Sequence, residues 1–406
     1  MAGRSLKPVQ PKQGQTSGIG MTRNAKDDLQ EGQGERPKSD GPPTRELRRG
    51  WTTGACAAAA TKAAYLGLLT GRFPDPVQIT LPKGERPSFD LVECRRCDRA
   101  ARASIEKDAG DDPDVTHGAI ISAHVCRGDP GSGLIFIAGE GVGVVTMPGL
   151  PVAVGEPAIN PGPRKLISGL VAEIAHAHGD GGDLEITISI PGGEAMAKRT
   201  ANERLGIVGG LSVLGTTGVV IPYSCSAWIA SIHRGIDVAR AAGFEHVAAA
   251  TGSTSERAVK AHYELPNNAL IEMGDFAGGM LKYLRKHPIP RITIAGGFAK
   301  ISKLADGHLN LHSKRSEVDL HALADLLAIR GASGELLDQI RNARIASRAL
   351  ELANAASLPL ADDVAKNARS FVLDQVDGKA AVEVMIFDRS GQLVGRSHGW
   401  SSRSDR

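Results

Sequence analysis

Aromatic residues are scarce in this chain, 4% of 406 positions, so its interior has to be closed by aliphatic side chains and alanine rather than by large rings. Cysteine is scarce too. The five cysteines, Cys56, Cys94, Cys97, Cys126 and Cys225, are odd in number and scattered, which excludes a disulfide framework and points to a reducing cytoplasm. Cys94-Arg-Arg-Cys97 has no second pair nearby, so two reduced thiols are expected there and no metal site. The most hydrophobic window, Leu134 to Val154, is broken by Glu140, Pro148 and several glycines, and the first residues carry no apolar signal stretch, so no membrane partner is expected. Net charge is only +3, and residues 1–50 hold ten basic and six acidic groups, which leaves the remainder near −1. A basic face for nucleic acid is absent. Two phosphate-binding fingerprints, G-x-G-x-x-G after a strand and G-x-x-x-x-G-K-[ST], are missing as well.

Glycine, by contrast, is abundant: 49 residues, well above the usual about 7%. Many turns or close ligand approaches are implied. The length suits two domains with extras. Residues 1–43 hold seven Gly and five Pro with almost nothing apolar, the composition of a disordered extension. From Leu47 the texture changes. Thr52-Thr53-Gly54 precedes an alanine-rich stretch, predicting a capped helix over 55–69. Short β-rich runs and one further helix over 160–178 follow, giving an α+β domain over 44–205. Beyond Gly206 strand and helix alternate, with strands at 246–250, 269–273, 291–295 and 381–387, which predicts an α/β parallel-sheet domain over 206–395 and a tail over 396–406. The remaining helices are placed over 223–242, 255–263, 275–287, 317–329, 334–356 and 362–375.

Ligands of open parallel sheets bind beyond the carboxyl ends of the strands. Gly252, Ser253 and Thr254 follow one strand, Gly296 and Gly297 another, and Asp275 follows the strand between them, 23 residues after Gly252, about where a carboxylate reaches ribose hydroxyls. Each also has a plain reading, as a helix cap, a tight turn and an N-cap. Together they describe a pocket for adenosine without a diphosphate. The acidic loop Asp108–Asp114 fits no calcium pattern and reads as turn and cap. His308 and His312 lie just beyond the Gly296 strand end with Lys314 and Arg315.

Five segments resemble the cobalt-precorrin-5B (C1)-methyltransferase family of cobalamin biosynthesis: Leu47-Arg-Arg-Gly-Trp-Thr-Thr-Gly-Ala-Cys-Ala-Ala-Ala-Ala60, Lys107-Asp-Ala-Gly-Asp-Asp-Pro-Asp-Val-Thr116, Pro157-Ala-Ile-Asn-Pro161, Arg204-Leu-Gly-Ile-Val-Gly-Gly-Leu-Ser-Val-Leu-Gly-Thr-Thr-Gly218 and Leu311-His-Ser-Lys-Arg-Ser-Glu-Val-Asp319. Trp51 departs from the commoner tyrosine or phenylalanine. The resemblance implies methyl transfer from S-adenosyl-L-methionine to C1 of a cobalt corrinoid, with cobalt present only as part of the substrate. It also implies a first domain resembling domain 2 of ribosomal protein S5 and a Rossmann-like second domain.

Methyl transfer from a sulfonium demands positioning and water exclusion more than a strong base. A substrate rimmed with carboxylates calls for Arg and Lys. Thr52, Thr53, Arg164, Lys165, Arg204, Gly215, Thr216, Thr217, Lys314 and Arg315 are the expected corrinoid contacts, with Lys198, Arg199, Lys300 and Lys303 as further cations near strand or helix ends. His308 or His312 is expected to approach the cobalt or take a proton after methylation. A homo-oligomer and transient contacts with other enzymes of the pathway stay open. Two competing readings are a nicotinamide-dependent corrinoid reductase and a non-catalytic tetrapyrrole carrier.

Overall fold

The alanine-rich segment forms the helix Thr53–Thr70, in which Thr52 accepts from the Ala55 N–H and Gly71 closes the far end in the left-handed conformation. Ala55, Ala57, Ala58, Ala59, Ala60, Ala63 and Ala64 are all fully buried. With nothing beyond Cβ, this helix can be surrounded, and it packs on a five-stranded sheet and on the helix Pro161–His178. The structure, a computed structural model, describes residues 46–397. The extension expected over 1–43 and nearly all of the 396–406 tail lie outside the described residues.

The first sheet runs in the order Glu93–Cys97, Ala100–Glu106, Ile120–Arg127, Leu184–Ser189, Leu134–Ala138. Its first four strands are antiparallel and the last is parallel to its neighbour. Alternate residues, among them Ala101, Ala103, Ile121, Ala123, Ile186 and Ile188, turn toward the helices and form one core. On the exposed edge strand the same alternation puts Cys94 and Cys97 on opposite faces, so the two thiols cannot share a metal or a bond. Arg96, on the helix side, brings its guanidinium beside Gly71 at the carboxyl end of the alanine helix, where a cation is favoured.

The segment after Gly206 belongs to this first lobe, contrary to the expected boundary at 205/206. Ile207–Val208 pairs with Val144–Val145, Val219–Val220 pairs with Gly50–Trp51, and Leu211 and Val213 complete the first core. The packing changes near Tyr223, because the apolar residues among these glycines find their partners upstream.

The second lobe holds a sheet in the order Leu270–Glu272, His246–Ala250, Arg291–Gly297, Ala381–Phe387, Leu393–Arg396. The first four strands are parallel and the last is an antiparallel edge. Helices Cys225–Ala241, Ser253–Tyr263, Ala277–Lys286 and Leu360–Gln375 cover it. Two local expectations fail. Gly296-Gly297 opens directly into an unforeseen helix, Phe298–Ala305, and the single helix expected over 334–356 is two, Gly334–Arg341 and Ala346–Ala355. Asn342 ends the first of these by turning its side-chain amide back onto the Asp338 carbonyl.

Two buried ion pairs fix the lobes internally. In the second, Glu383 is fully buried. It accepts from Arg396 Nε at 2.5 Å and from the Tyr263 hydroxyl. Burial and the bond to Glu383 push that phenol up to about 12. In the first, Lys107, 1% exposed, donates to Asp114 at 2.8 Å. Burial alone would raise the Asp114 pKa, but the Lys107 charge and hydrogen bond, with the Thr116 donors, hold it below its ordinary 3.8.

Arg396→Met should leave the Glu383 charge stranded and cost about 3–5 kcal/mol in urea unfolding at pH 7; adding Glu383→Gln should recover much of the loss. Asp114→Asn should cost about 3 kcal/mol at neutral pH by stranding Lys107. Because the folded pKa of Asp114 lies below the unfolded one, its contribution is complete above 3.8 and is lost as pH falls through the folded value. The difference between wild type and Asp114→Asn, measured across that range, should shrink with acid.

Candidate active site

The chain leaves the strand His246–Ala250 toward one side of its sheet, through Leu270–Glu272, and then returns to the other side through Arg291–Gly297 and Ala381–Phe387. Strand order therefore reverses between His246–Ala250 and Arg291–Gly297, the position at which open parallel sheets take their ligands, beyond the carboxyl ends. Two helices start there, Ser253–Tyr263 after Gly252 and Phe298–Ala305 after Gly297, and neither has a side-chain cap. Within each helix the first N–H groups precede any i−4 carbonyl partner, and the two helices begin beyond strands that are direct neighbours. Gly252 and Ser253 are exposed. A Cβ built on Gly252 would meet nothing within 4 Å among the described residues.

Gly296 plays a different part from the one expected. A Cβ there would come within 2.7 Å of Ile301 and 2.9 Å of Thr251 Oγ1, so this buried glycine lets helix and strand pack rather than admitting a ligand. At the exposed neighbour, Gly297, a Cβ would meet the Phe387 carbonyl oxygen only at 4.0 Å, ordinary contact. Thr254, half-buried, lies in the first turn of the helix after Gly252.

Asp275 sits beyond the end of the strand Leu270–Glu272, as expected. Its Oδ1 lies 3.0 Å from Lys300 Nζ, yet that oxygen is buried with no donor aligned on it. Lys300 Nζ instead donates to the Thr251 carbonyl at 2.8 Å, which ties the first and third strand ends together. Sequence reasoning had placed Lys300 only among general cations; its spacing of three residues from Gly297 was the available signal.

The loop carrying His308 and His312 is held against this edge. The Leu311 N–H donates to the Asp275 carbonyl at 2.9 Å and the Gly278 N–H to the Leu309 carbonyl at 2.8 Å. Lys303 Nζ donates to the Leu311 carbonyl at 3.1 Å. Lys303 is 6% exposed, and burial pulls its pKa below the ordinary value against the nearby Asp275; it is a strut under the loop and not a reaching cation. His308, His312, Lys314 and Arg315 are exposed. His312 Nδ1 accepts from the Lys314 N–H at 3.1 Å, which shapes the turn.

In the first lobe, the expected corrinoid contacts converge on the start of the alanine helix. Thr53 Oγ1 accepts from the Leu214 N–H at 3.0 Å, and the Gly54 N–H donates to the Leu214 carbonyl at 3.0 Å. Gly215, at φ 121°, leaves room for Thr52, whose Oγ1 would lie 2.3 Å from an added Cβ. Gly162, in the first turn of the helix Pro161–His178, approaches Gly215 and Thr216 from the other side. Thr52 and Thr53 are buried and act as fasteners, while Thr216 is exposed. Thr217 Oγ1 lies 3.3 Å from the Val219 N–H, shaping the turn.

Two expected substrate arginines are committed elsewhere. Arg164 donates to the Ile159 and Pro157 carbonyls and to Glu156, and covers the Phe136 ring. Arg204 forks onto both oxygens of Glu256, each at 2.7 Å. Glu256 lies in the first turn of the helix after Gly252, so Arg204 clamps the first lobe to the carboxyl edge of the second sheet. Lys165 is exposed on its helix. Trp228, not foreseen, donates from Nε1 to the Glu272 carbonyl at 3.3 Å and packs beside Gly274. Cys56 offers no thiolate, since burial in the alanine helix pushes it up to about 12.

Comparison with known proteins identifies the family. A family model described as CbiD matches residues 41–222, and one described as CbiD, C-terminal domain, matches residues 310–398. The chain is 58% identical over 352 residues to a protein of Brucella anthropi named cobalt-precorrin-5B C(1)-methyltransferase, covering 86% of this chain and 96% of the relative. It is also 58% identical over 353 residues to the protein of that name from Paramagnetospirillum magneticum, covering 87% and 98%. A crystal structure of cobalamin biosynthesis protein (cbiD) from Archaeoglobus fulgidus matches at 29% identity over 62% of this chain and 77% of that one, with a TM-score of 0.36. With both matched segments and nearly the full length of these relatives covered, the chain belongs to the CbiD family of cobalt-precorrin-5B C(1)-methyltransferases.

Proposed function

We propose that this protein methylates C1 of cobalt-precorrin-5B to give cobalt-precorrin-6A, with S-adenosyl-L-methionine as donor. The observation that carries the choice of donor is the pair of uncapped helix starts at the strand-order reversal. They fit the carboxylate of an amino-acid nucleoside, and Asp275 Oδ1, buried without an aligned donor, fits a ribose hydroxyl. The methyl donor supplies an electrophilic carbon whose sulfur leaves neutral, so the chain has no leaving-group charge to stabilise. Its residues hold the two reactants in line and keep water out. Thr216 and the neighbouring backbone at Gly215, fixed by Thr52 and Thr53, offer the corrinoid a surface in the first lobe, and Arg204 keeps that lobe against the donor edge. Lys165, Lys314 and Arg315 are exposed, and their charge suits the carboxylate rim.

On the same reading, the second lobe is Rossmann-like, which its four parallel strands and strand-order reversal support, and the first resembles domain 2 of ribosomal protein S5. Five free thiols favour a cytoplasmic enzyme. Among the described residues no helix is long and apolar enough to cross a membrane.

The decisive assay incubates the protein with cobalt-precorrin-5B and methyl-labelled S-adenosyl-L-methionine and follows label into the corrinoid. Label that stays out would leave the carrier reading, and thermal protection by NADPH in place of the donor would favour the reductase. Gly252→Asp separates donor binding from folding. The added side chain has room and caps the helix, so melting temperature should hold or rise. Its carboxylate would occupy the anion position, so KM for the donor should rise about tenfold or more.

A further inference from the structure

The described chain passes between the lobes once, at Ile221-Pro222-Tyr223-Ser224. Pro222 and Tyr223 form a turn in which Tyr223 has φ 55°. Proline followed by a positive φ is the pattern of a type II turn, in which glycine is the usual second residue, and a bulky side chain there is an outlier held by its surroundings. The hold is visible. The Tyr223 N–H donates to Asp112 Oδ2 at 2.9 Å, and Asp112 belongs to an acidic loop pinned by Arg48. On the other side, Ser224 caps the helix Cys225–Ala241, whose first turn is fastened to the donor edge through Trp228 and the Glu272 carbonyl.

The outcome is an aromatic side chain that packs against little of the protein. Tyr223 is 62% exposed, whereas Tyr65 is fully buried and Tyr263 and Tyr283 are tied by hydroxyl bonds to Glu383 and Asp237. Ile221, 55% exposed, flanks it, and Leu214, 49% exposed, precedes the Gly215–Thr217 loop. Strain that exposes an aromatic ring is unexplained by folding alone, because glycine would make the same turn without steric strain and without an exposed ring.

We propose that Tyr223 is a substrate-binding residue that lays its ring against the face of the flat macrocycle at the junction of the lobes. This rests on the corrinoid reading above. Stacking tolerates variation in the rim groups and fixes the height of the ring plane, while the carboxylates fix its rotation.

The test compares Tyr223→Phe, Tyr223→Leu and Tyr223→Gly in the labelled-methyl assay after wild type has been shown to methylate. A wild type that transfers no label defeats the methyl-transfer reading on which this proposal rests, and the proposal with it. Given transfer, Tyr223→Phe should keep KM for the corrinoid within about twofold and Tyr223→Gly should raise it about five- to tenfold. KM for the donor should stay level in all three. The melting temperature of Tyr223→Gly should match or exceed wild type, since glycine relaxes the turn. A glycine variant with wild-type KM for the corrinoid would overturn the proposal. If that variant loses stability instead, Phe against Leu decides: a KM for Leu several times that of Phe supports the stacking contact, and equal values overturn it.

Discussion

Two neighbouring parallel strands whose onward connections run to opposite sides of a sheet leave a gap at their carboxyl ends that neither connection can cover. In this protein the gap lies between His246–Ala250 and Arg291–Gly297, and the other parts of the site are arranged around it. Lys300 ties the Thr251 carbonyl to the Asp275 side, the 306–316 loop is laced to Asp275 and Gly278, and Trp228 braces the end of the strand Leu270–Glu272. The first lobe reaches the same place through Arg204, whose bidentate fork on Glu256 is a geometry lysine could not reproduce.

That fork also carries an electrostatic logic. Glu256 in the first turn complements the dipole of its helix, and Arg204 neutralises it. A negative ligand at Gly252 therefore meets a helix start whose nearest carboxylate is already paired. The Arg204 guanidinium is held above its ordinary range by Glu256, against the opposing effect of burial, so the cationic half of the clamp stays charged.

Much of this was legible in the residues. Alternating strands and helices announced the parallel sheet, and Gly252, Asp275 and Gly297 were found at strand ends because small or acidic residues after an apolar run have few other reasons to be there. Long-range partners were not legible. Nothing in the local pattern around Arg164 or Arg204 distinguishes a residue that meets a substrate from one that meets Glu156 or Glu256. The helix Phe298–Ala305 was hidden behind Gly296-Gly297, which reads as a turn; only the depth at which Gly296 packs against Ile301 reveals a helix start. The lobe boundary was misplaced for a related reason: Leu211 and Val213 lie among glycines that suggest a linker, but their contacts are with strands far upstream. Tyr223 carried no signal at all, since an exposed aromatic and a positive φ are properties of the folded chain.

The alanine helix Thr53–Thr70 bears on how the two halves of the site can communicate. Alanine has no rotamers to redistribute, and this helix is enclosed on nearly every side, so its interior offers no alternative packing through which a shift at Thr52 could spread. That helix offers the first lobe no rotamer switch. Any message between donor and acceptor sides has to travel along the surface that joins them, through the Arg204 clamp and the single backbone crossing, and the allosteric vocabulary of this enzyme is correspondingly short.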